Sequence, residues 1–400
     1  MTPTPKSRSP IHVVIHEPSV EGHHVGYLKF VTEDLLTAGY RLTLALDVSP
    51  EPFERISAQM ADLLERVTVL PVRDPSGRLF GGGGAVAIAA SLARSGADFV
   101  FLNNLDEIGS GLMRRAALGF MPPATLRGRL GGIYHRPRFL GPCGYSPSLW
   151  IKAIGFERLM RDGWFSHLLV VDPYLQASLR SRAPDAPVFF LPDAYPANFS
   201  ADRGQARHQF NLPNDKRIFL FYGGAYRRKG LHLAVKAMLA VPQNTPAFLL
   251  CAGQHVHDGR TTRGLEQLVQ QGRALVINRY VSVEEEKQLF AASDVVLLPY
   301  RKHFGISGVL VRAVGAGLPV IVSDEELLGR LVREHGLGPR FPSGDVSALR
   351  QVIEQTARAP DAEMARWRAA ARAFAPRCSR QAFRDALVGA FENIARQPVG

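Results

Sequence analysis

The sequence predicts an α/β protein made of two doubly wound, Rossmann-like parallel-sheet domains. Three observations carry that prediction. The chain has 400 residues, more than one hydrophobic core usually serves. Short apolar runs alternate with amphipathic segments, the pattern of parallel strands joined by crossover helices. Near residue 197 the pattern breaks into a polar, irregular stretch and then starts again.

Taken in order, "IHVVIHEP" (residues 11–18) reads as a strand and "SVEGHH" as the loop after it. "VGYLKFVTEDLLTAG" has helical spacing and a stop at Gly39. "RLTLALD" and "RVTVLPV" give the second and third strands, and "GGGGAVAIAASLARSG" is loop into helix. "ADFVFLNNLD" is the fourth strand with its loop, "GGIYHRPRF" the fifth, "FSHLLVVDPYLQASLRS" a strand and helix, and "PVFFLPDAYP" a further strand. Residues 197–216 read as a linker with one short helix. "RIFLFYGGAYRRKGLHLAVKAML" then gives strand, glycine loop and helix, and "PAFLLCAG" and "ALVINRYV" are strands. "SVEEEKQLFAASD" is a helix opened by Ser282, with Glu285 in the capping-box position. "VVLLPY" is a strand, "HFGISGVLVRAVGAGLPVIVSD" adds a helix and a strand, and the tail from about residue 360 is Ala/Arg-rich and helical. The expected domains are 1–197 and 198–375, followed by a helical segment over 376–400. In sheets of this kind ligands bind beyond the carboxyl ends of the strands, so the candidate site is expected among those loops, facing a cleft between the domains.

Composition sets bounds on function. A hydrophobic share of 46% with 21% charged residues is that of a soluble globular protein. Cys143, Cys251 and Cys378 show neither paired nor metal-ligand spacing, which implies a reducing compartment. "MTPTPKSRSP" has no apolar core of a signal peptide, and no apolar run is long enough to span a bilayer, so a cytoplasmic location is expected. The net charge is +12, and the segment from Gly111 to Arg161 has nine Lys/Arg against one acid, Glu157. Such a segment is either a solvated basic face or a surface for an anionic partner. Among partners, an anionic membrane surface fits its apolar clusters, and no nucleic-acid-binding motif accompanies it.

Two stretches carry candidate chemistry. In "GGAYRRKG", Gly223 and Gly224 let a ligand approach the backbone, while Arg227, Arg228 and Lys229 place three cations just before a helix N-terminus. Dipole, amides and side-chain charge would then converge on a diphosphate; the alternative is an ordinary turn with solvated cations. In "FGISGV", Phe304, Gly305, Ile306, Ser307 and Gly308 lead into another helix whose first amides could hold an anion or sugar hydroxyls. Arg312 would lean back toward that loop, between Gly308 and Gly315, or else snorkel at the helix edge. In the first half, Gly22, His23 and His24 stand at a loop after a strand, and Asn103 and Asn104 follow the fourth strand. These are acceptor-side candidates, with Asp106 and Glu107 as acids beside them. His16 reads as structural. "HVHDGR" has two His and an Asp, but no metal site is expected there.

The order "LFYGG…RRKGLHLAVKAM", "FLLCAG", "RYVSVEEEKQLFAASDVVLLPY" and "FGISGVLVRAVGAGLPVIVSD" resembles the donor-binding domain of GT-B fold, family-4-type glycosyltransferases (glycosyl transferases group 1) over most of residues 216–350. The first half matches more loosely, through "EPSVEGHHVGYLKFVTEDLLTAGYRLTLAL", "GGIYHRPR" and "LPDAYP". The resemblance implies a metal-independent, retaining transfer of a hexosyl group from a nucleotide-sugar donor, UDP- or GDP-linked, to an acceptor hydroxyl. Basic residues and a helix N-terminus would stabilise the leaving diphosphate, and no cofactor is needed. It implies that His135 is a donor-contacting His, that Lys229 is the diphosphate Lys, and that the C-terminal helix crosses back to the first domain. The usual loop Arg position holds Gly224, so Arg227 or Arg228 would substitute. Where the family has two Glu eight positions apart, this chain has Phe304 and Arg312. A guanidinium only donates hydrogen bonds, so ribose recognition must differ. It could move to Ser307, to backbone or to Glu325 and Glu326, or Arg312 could add charge for the diphosphate.

The expected function is therefore a cytoplasmic retaining glycosyltransferase of polysaccharide or glycoconjugate biosynthesis. Its acceptor would be a glycan, a small molecule or a lipid-linked saccharide, the last placing it at the inner face of the plasma membrane. The alternative is a non-catalytic GT-B binding or partner subunit.

Overall fold

The computed structural model describes residues 10–20, 24–141, 146–195, 199–224, 226–255 and 259–395. The chain divides into two compact units: Met1–Leu191 with Phe383–Gly400, and Pro192–Ala382.

The first unit is a seven-stranded sheet with helices between its strands. In chain order it runs β1 (His12–Glu17), α1 (His24–Thr37), β2 (Arg41–Leu46), α2 (Pro50–Leu64), β3 (Thr68–Pro71), α3 (Gly84–Ser95), β4 (Phe99–Leu102), α4 (Leu105–Ala117), β5 (Leu130–Tyr134), α5 (Pro147–Arg161), β6 (Phe165–Val170), α6 (Pro173–Arg182) and β7 (Val188–Phe190). The strand order is β3-β2-β1-β4-β5-β6-β7, and every pairing is parallel. β1, β5 and β6 are buried along their whole length, as strands must be when helices cover both faces of a sheet. The order reverses between β1 and β4, so this is the switch point at which loops diverge.

The second unit runs α7 (Arg203–Gln209), β8 (Arg217–Tyr222), α8 (Leu231–Ala240), β9 (Ala247–Ala252), α9 (Gly259–Gln270), β10 (Ala274–Ile277), α10 (Val283–Ala292), β11 (Val295–Leu298), α11 (Gly308–Gly315), β12 (Val320–Ser323), α12 (Glu326–His335), β13 (Arg340–Phe341), α13 (Val346–Ala357) and α14 (Asp361–Phe374). Its strand order is β10-β9-β8-β11-β12-β13, and the switch point lies between β8 and β11. Phe219, Phe221, Leu249, Val295, Leu297 and Ile321 from the strands pack with Leu231, Val235 and Met238 of α8. Asp294, just before β11, is 2% exposed. It accepts from Arg203 (2.6 Å), Arg207 (2.6 Å), Arg368 (3.0 Å) and the Ile218 amide (2.8 Å). Three cations of this basic chain are thus spent on one structural carboxylate.

A last helix, α15 (Arg380–Ala395), enters the first unit at Phe383. There Phe383 meets the rings of Tyr27 and Phe30 (centroids 5.7 and 5.8 Å). Phe391 meets Tyr40, Phe101 and His167 (5.5, 5.2 and 4.4 Å). Among the described residues no helix is long and apolar enough to cross a membrane.

Candidate functional site

In the second unit, the loops after β8 and β11 lie at the switch point and contain all the predicted donor-side residues up to the start of α11. Gly223 has φ +94°, and a Cβ there would stand 3.2 Å from Lys229 Nζ, so glycine at this position leaves the Lys side chain its path across the loop. Gly224 is half-buried and Arg227 exposed. Arg227–Lys229 form a single 3-10 turn ahead of α8. Gly230 closes that turn at φ +74°, where a Cβ would sit 2.0 Å from Pro299 O. This close approach ties the β8 loop to the β11 loop. A second tie is the Arg301 amide, which donates to Arg228 O at 2.8 Å.

Lys229 is the most perturbed cation of the site. Burial, followed by the nearby charges of Arg228 and Arg312, lowers its pKa from 10.5 to about 8. Its ammonium lies 5.9 Å from the ring centroid of Tyr300, whose own hydroxyl is pushed up to about 12, first by burial. Arg228 Nη1 donates to His303 Nδ1 at 3.1 Å. Two guanidinium groups near enough to add to the lowering of the Lys229 pKa form with it a site that an anion would stabilise.

Ser307 is the N-cap of α11: its Oγ accepts from the Val309 amide at 3.2 Å and donates toward Tyr300 Oη at 3.4 Å. Gly305 and Ser307 are buried, while Phe304, Ile306 and Gly308 are half-buried. The positive end of α11 and its opening amides therefore stand beside the β11 loop.

Arg312 folds back along α11 as its helical position predicts. Its Nη1 donates to Gly308 O at 3.1 Å, and its Nε lies 3.0 Å from both oxygens of Glu286. Glu286 is 6% exposed and also accepts from Tyr222 Oη at 2.5 Å. Burial, then Glu286, raises the pKa of that phenol. The cation on a small-residue helix thus has a buried carboxylate partner on α10. Glu286 and Tyr222 were not among the sequence candidates. A signal for Glu286 was present: it lies three and four residues before Leu289 and Phe290, which puts a carboxylate on the apolar face of its helix. Glu325 and Glu326 lie beyond β12. Glu325 Oε1 accepts from the Lys302 amide at 2.9 Å.

In the first unit the predicted residues gather at the ends of β1, β4 and β5. Glu17 is buried and accepts from His24 Nδ1 (2.9 Å), Asn103 Nδ2 (2.7 Å) and the Ser19 amide (2.9 Å). Asn103 Nδ2 also donates to His24 O at 3.0 Å, and Asn104 Nδ2 lies 2.9 Å from His24 Nε2. His24 and Asn103 are 7% and 0% exposed. Both ring nitrogens of His24 and Nδ2 of Asn103 are engaged inside this network, while Asn103 Oδ1 is buried with no hydrogen-bond partner among the described residues. Asn104 is half-buried and caps α4 through the Asp106 amide at 2.9 Å. His135 is half-buried and packs edge-on against Tyr27 at 4.7 Å. The Asp106 carboxylate accepts from the His135 and Arg136 amides at 2.7 and 2.8 Å, and burial raises its pKa. Asp106 thus orients the His135 loop. His16, paired with Ser91 at 3.0 Å, is fully buried, and burial lowers its pKa to about 4. Gly22 and His23 lie outside the described residues, as do His257 and Asp258 of "HVHDGR".

Comparison with known proteins agrees with this fold. Residues 202–374 match the family model of glycosyl transferases group 1. An uncharacterized glycosyltransferase of Methanocaldococcus jannaschii is 31% identical over 122 residues, a stretch that covers 30% of this chain and 30% of that one. Among solved structures, WaaG, a glycosyltransferase involved in lipopolysaccharide biosynthesis, superposes with a TM-score of 0.65 at 15% identity, covering 96% of this chain and 100% of that one. Anabaena HepE in complex with UDP gives 0.68 at 16% identity, covering 96% and 99%. Sucrose-phosphate synthase from Thermosynechococcus elongatus gives 0.66 at 18% identity, again covering 96% and 99%. At these identities the likeness is one of fold. Residues 202–374 are a glycosyl transferases group 1 domain, in a chain whose units have the fold of GT-B glycosyltransferases.

Proposed function

We propose that this chain is a metal-independent, retaining glycosyltransferase of family-4 type that takes a hexosyl group from a UDP- or GDP-linked donor. The observation that supports it most is the convergence of Lys229, Arg228, Arg312 and the N-terminus of α11 at the β8/β11 switch point. In this reading the diphosphate sits against those groups. As the glycosidic bond breaks, negative charge grows on the leaving oxygen, and preorganised cations and amides stabilise it without reorganisation. Lys229 is the central cation, because it is half-buried, its ammonium reaches Gly223, and burial with Arg228 and Arg312 nearby lowers its pKa. Gly223, Gly224 and the 304–308 loop bring backbone to the nucleotide sugar. The ends of β1 and β4 in the first unit are assigned to the acceptor, and His135 after β5, its loop held by Asp106, to the donor. The acceptor is a glycan, a small molecule or a lipid-linked saccharide, and a lipid-linked one brings the chain to an anionic membrane surface.

A second reading has a specific observation in its favour. Arg312, paired with buried Glu286, stands where the resemblance expects an acid. A binding subunit that holds a nucleotide sugar without turnover accounts for that. Turnover of a panel of UDP- and GDP-sugars, alone and with glycan and lipid-linked acceptors, separates the two. Donor hydrolysis or transfer that disappears in Lys229→Ala supports the enzyme. Saturable binding with no turnover in any mixture supports the subunit.

A further inference from the structure

We propose that the outer face of α4 and α5 in the first unit is a docking surface for an anionic lipid bilayer. The inference deepens the membrane-surface part of the proposed function and uses nothing from the donor site. Large apolar side chains are concentrated here: Leu118, Phe120, Trp150, Ile151 and Ile154 are 72%, 59%, 57%, 41% and 54% exposed. A soluble protein seldom leaves so many together in water without a use for them.

The two helices form one surface. Gly155 lets their backbones touch, since a Cβ there would lie 1.8 Å from Met113 O. Arg114 Nη2 donates to Ser148 Oγ at 3.2 Å, and Arg158 Nη1 donates to Ala116 O at 3.4 Å. Both contacts run between the α4 and α5 segments, so the apolar residues of each share a face with the cations of the other. Those cations are Arg114, Arg115, Lys152, Arg158 and Arg161. Lys152 is crowded enough by burial, Arg114 and Arg138 that its pKa is lowered. Among the described side chains of these segments, Asp162 is paired with Arg161 at 3.2 Å, Asp106 accepts from the His135 and Arg136 amides, and Glu157 is exposed.

The chemistry selects the occupant. Cations alone would suit any polyanion, but Leu118, Ile151 and Ile154 have no π-face to stack on a base, and they gain only by leaving water. Arg and Lys stems reach outward past an apolar centre, which suits headgroups around an acyl layer. Trp150 has the amphipathic ring that settles at such a boundary.

The test uses the full chain and two vesicle types, phosphatidylcholine alone and phosphatidylcholine mixed with phosphatidylglycerol, in co-sedimentation at low and high salt. The expected result is binding to the mixed vesicles, weakened by salt, with a blue shift of tryptophan fluorescence that Trp150→Ala removes. Ile151→Ser/Ile154→Ser and Arg114→Glu/Arg115→Glu should each lower the vesicle-bound fraction by about tenfold or more. Because these residues are exposed, their variants should melt like the parent, which keeps misfolding apart from loss of docking. No binding, equal binding to both vesicle types at both salt levels, or variants that bind like the parent would overturn the proposal. So would a concentration-dependent dimer that Ile151→Ser/Ile154→Ser abolishes, since the face would then be covered by a second copy. So would RNA binding lost in Arg114→Glu/Arg115→Glu without any vesicle binding. No nucleotide enters this experiment, so its failure leaves the donor-site reading standing, and failure of the donor-site reading leaves this one.

Discussion

Diphosphate binding should weaken as pH rises above neutrality, and Lys229 should be the cause. With a pKa of about 8 in the unliganded protein, its ammonium is roughly nine-tenths charged at about pH 7 and roughly one-tenth charged at about pH 9. A diphosphate in contact would hold the proton on, so at high pH binding must take up a proton. The apparent dissociation constant for UDP or GDP then rises about tenfold between about pH 7 and about pH 9. Among the neighbouring groups, the Tyr300 hydroxyl is pushed up to about 12, above this window. Stability of the unliganded protein should run the other way. A Lys whose pKa is lowered by folding carries its burial cost in full below about 8, and the cost is relieved as pH rises toward 10.5. The assay is calorimetry of UDP and GDP at several pH values and constant ionic strength, in buffers of different ionisation enthalpy to count protons. Lys229→Arg should flatten the profile, because a guanidinium does not titrate there. A pH-independent affinity, or an unchanged profile in Lys229→Arg, would refute the reasoning.

Arg312→Glu would set a second carboxylate against buried Glu286 and remove a cation from the anion site. Nucleotide affinity should fall by about tenfold or more, and Arg312→Glu/Glu286→Gln should recover part of the folding stability but not the affinity. A gain in affinity from Arg312→Glu would instead mark the position as a vacated ribose site. Asp294→Asn would leave Arg203, Arg207 and Arg368 without their shared carboxylate. Denaturant unfolding should show a loss of about 3–5 kcal/mol, and a change within experimental scatter would show that solvent already screens the cluster.

Much of the fold was legible in the sequence because parallel strands buried on both faces announce themselves as apolar runs. β1, β6, β8 and β9 did so, and Gly39 marked the turn between α1 and β2. β13, only Arg340–Phe341, was missed, since two residues give no periodicity to read. The glycine loop was also legible, because Gly223, Lys229 and Gly230 lie within eight consecutive residues. What sequence could not supply was pairing at a distance. Arg312 finds Glu286 twenty-six residues away, through the packing of α10 beside β8 and α11. Asn103 and His24, read as acceptor-side candidates, share buried Glu17 through Nδ2 and Nδ1, a contact that joins β4 to α1 across 79 residues of sequence. A polar residue at a strand end looks alike in sequence whether it faces a ligand or fills a buried network.

The central claim is that the β8/β11 switch point holds a nucleoside diphosphate through Lys229. Titration of UDP and GDP into the full chain near neutral pH, beside the Lys229→Ala variant, tests it most directly. The account predicts saturable one-to-one binding of at least one nucleotide, weakened by about tenfold or more in a Lys229→Ala variant that melts like the parent. Binding of equal strength in the folded variant, or no binding of either nucleotide to the parent, would contradict it.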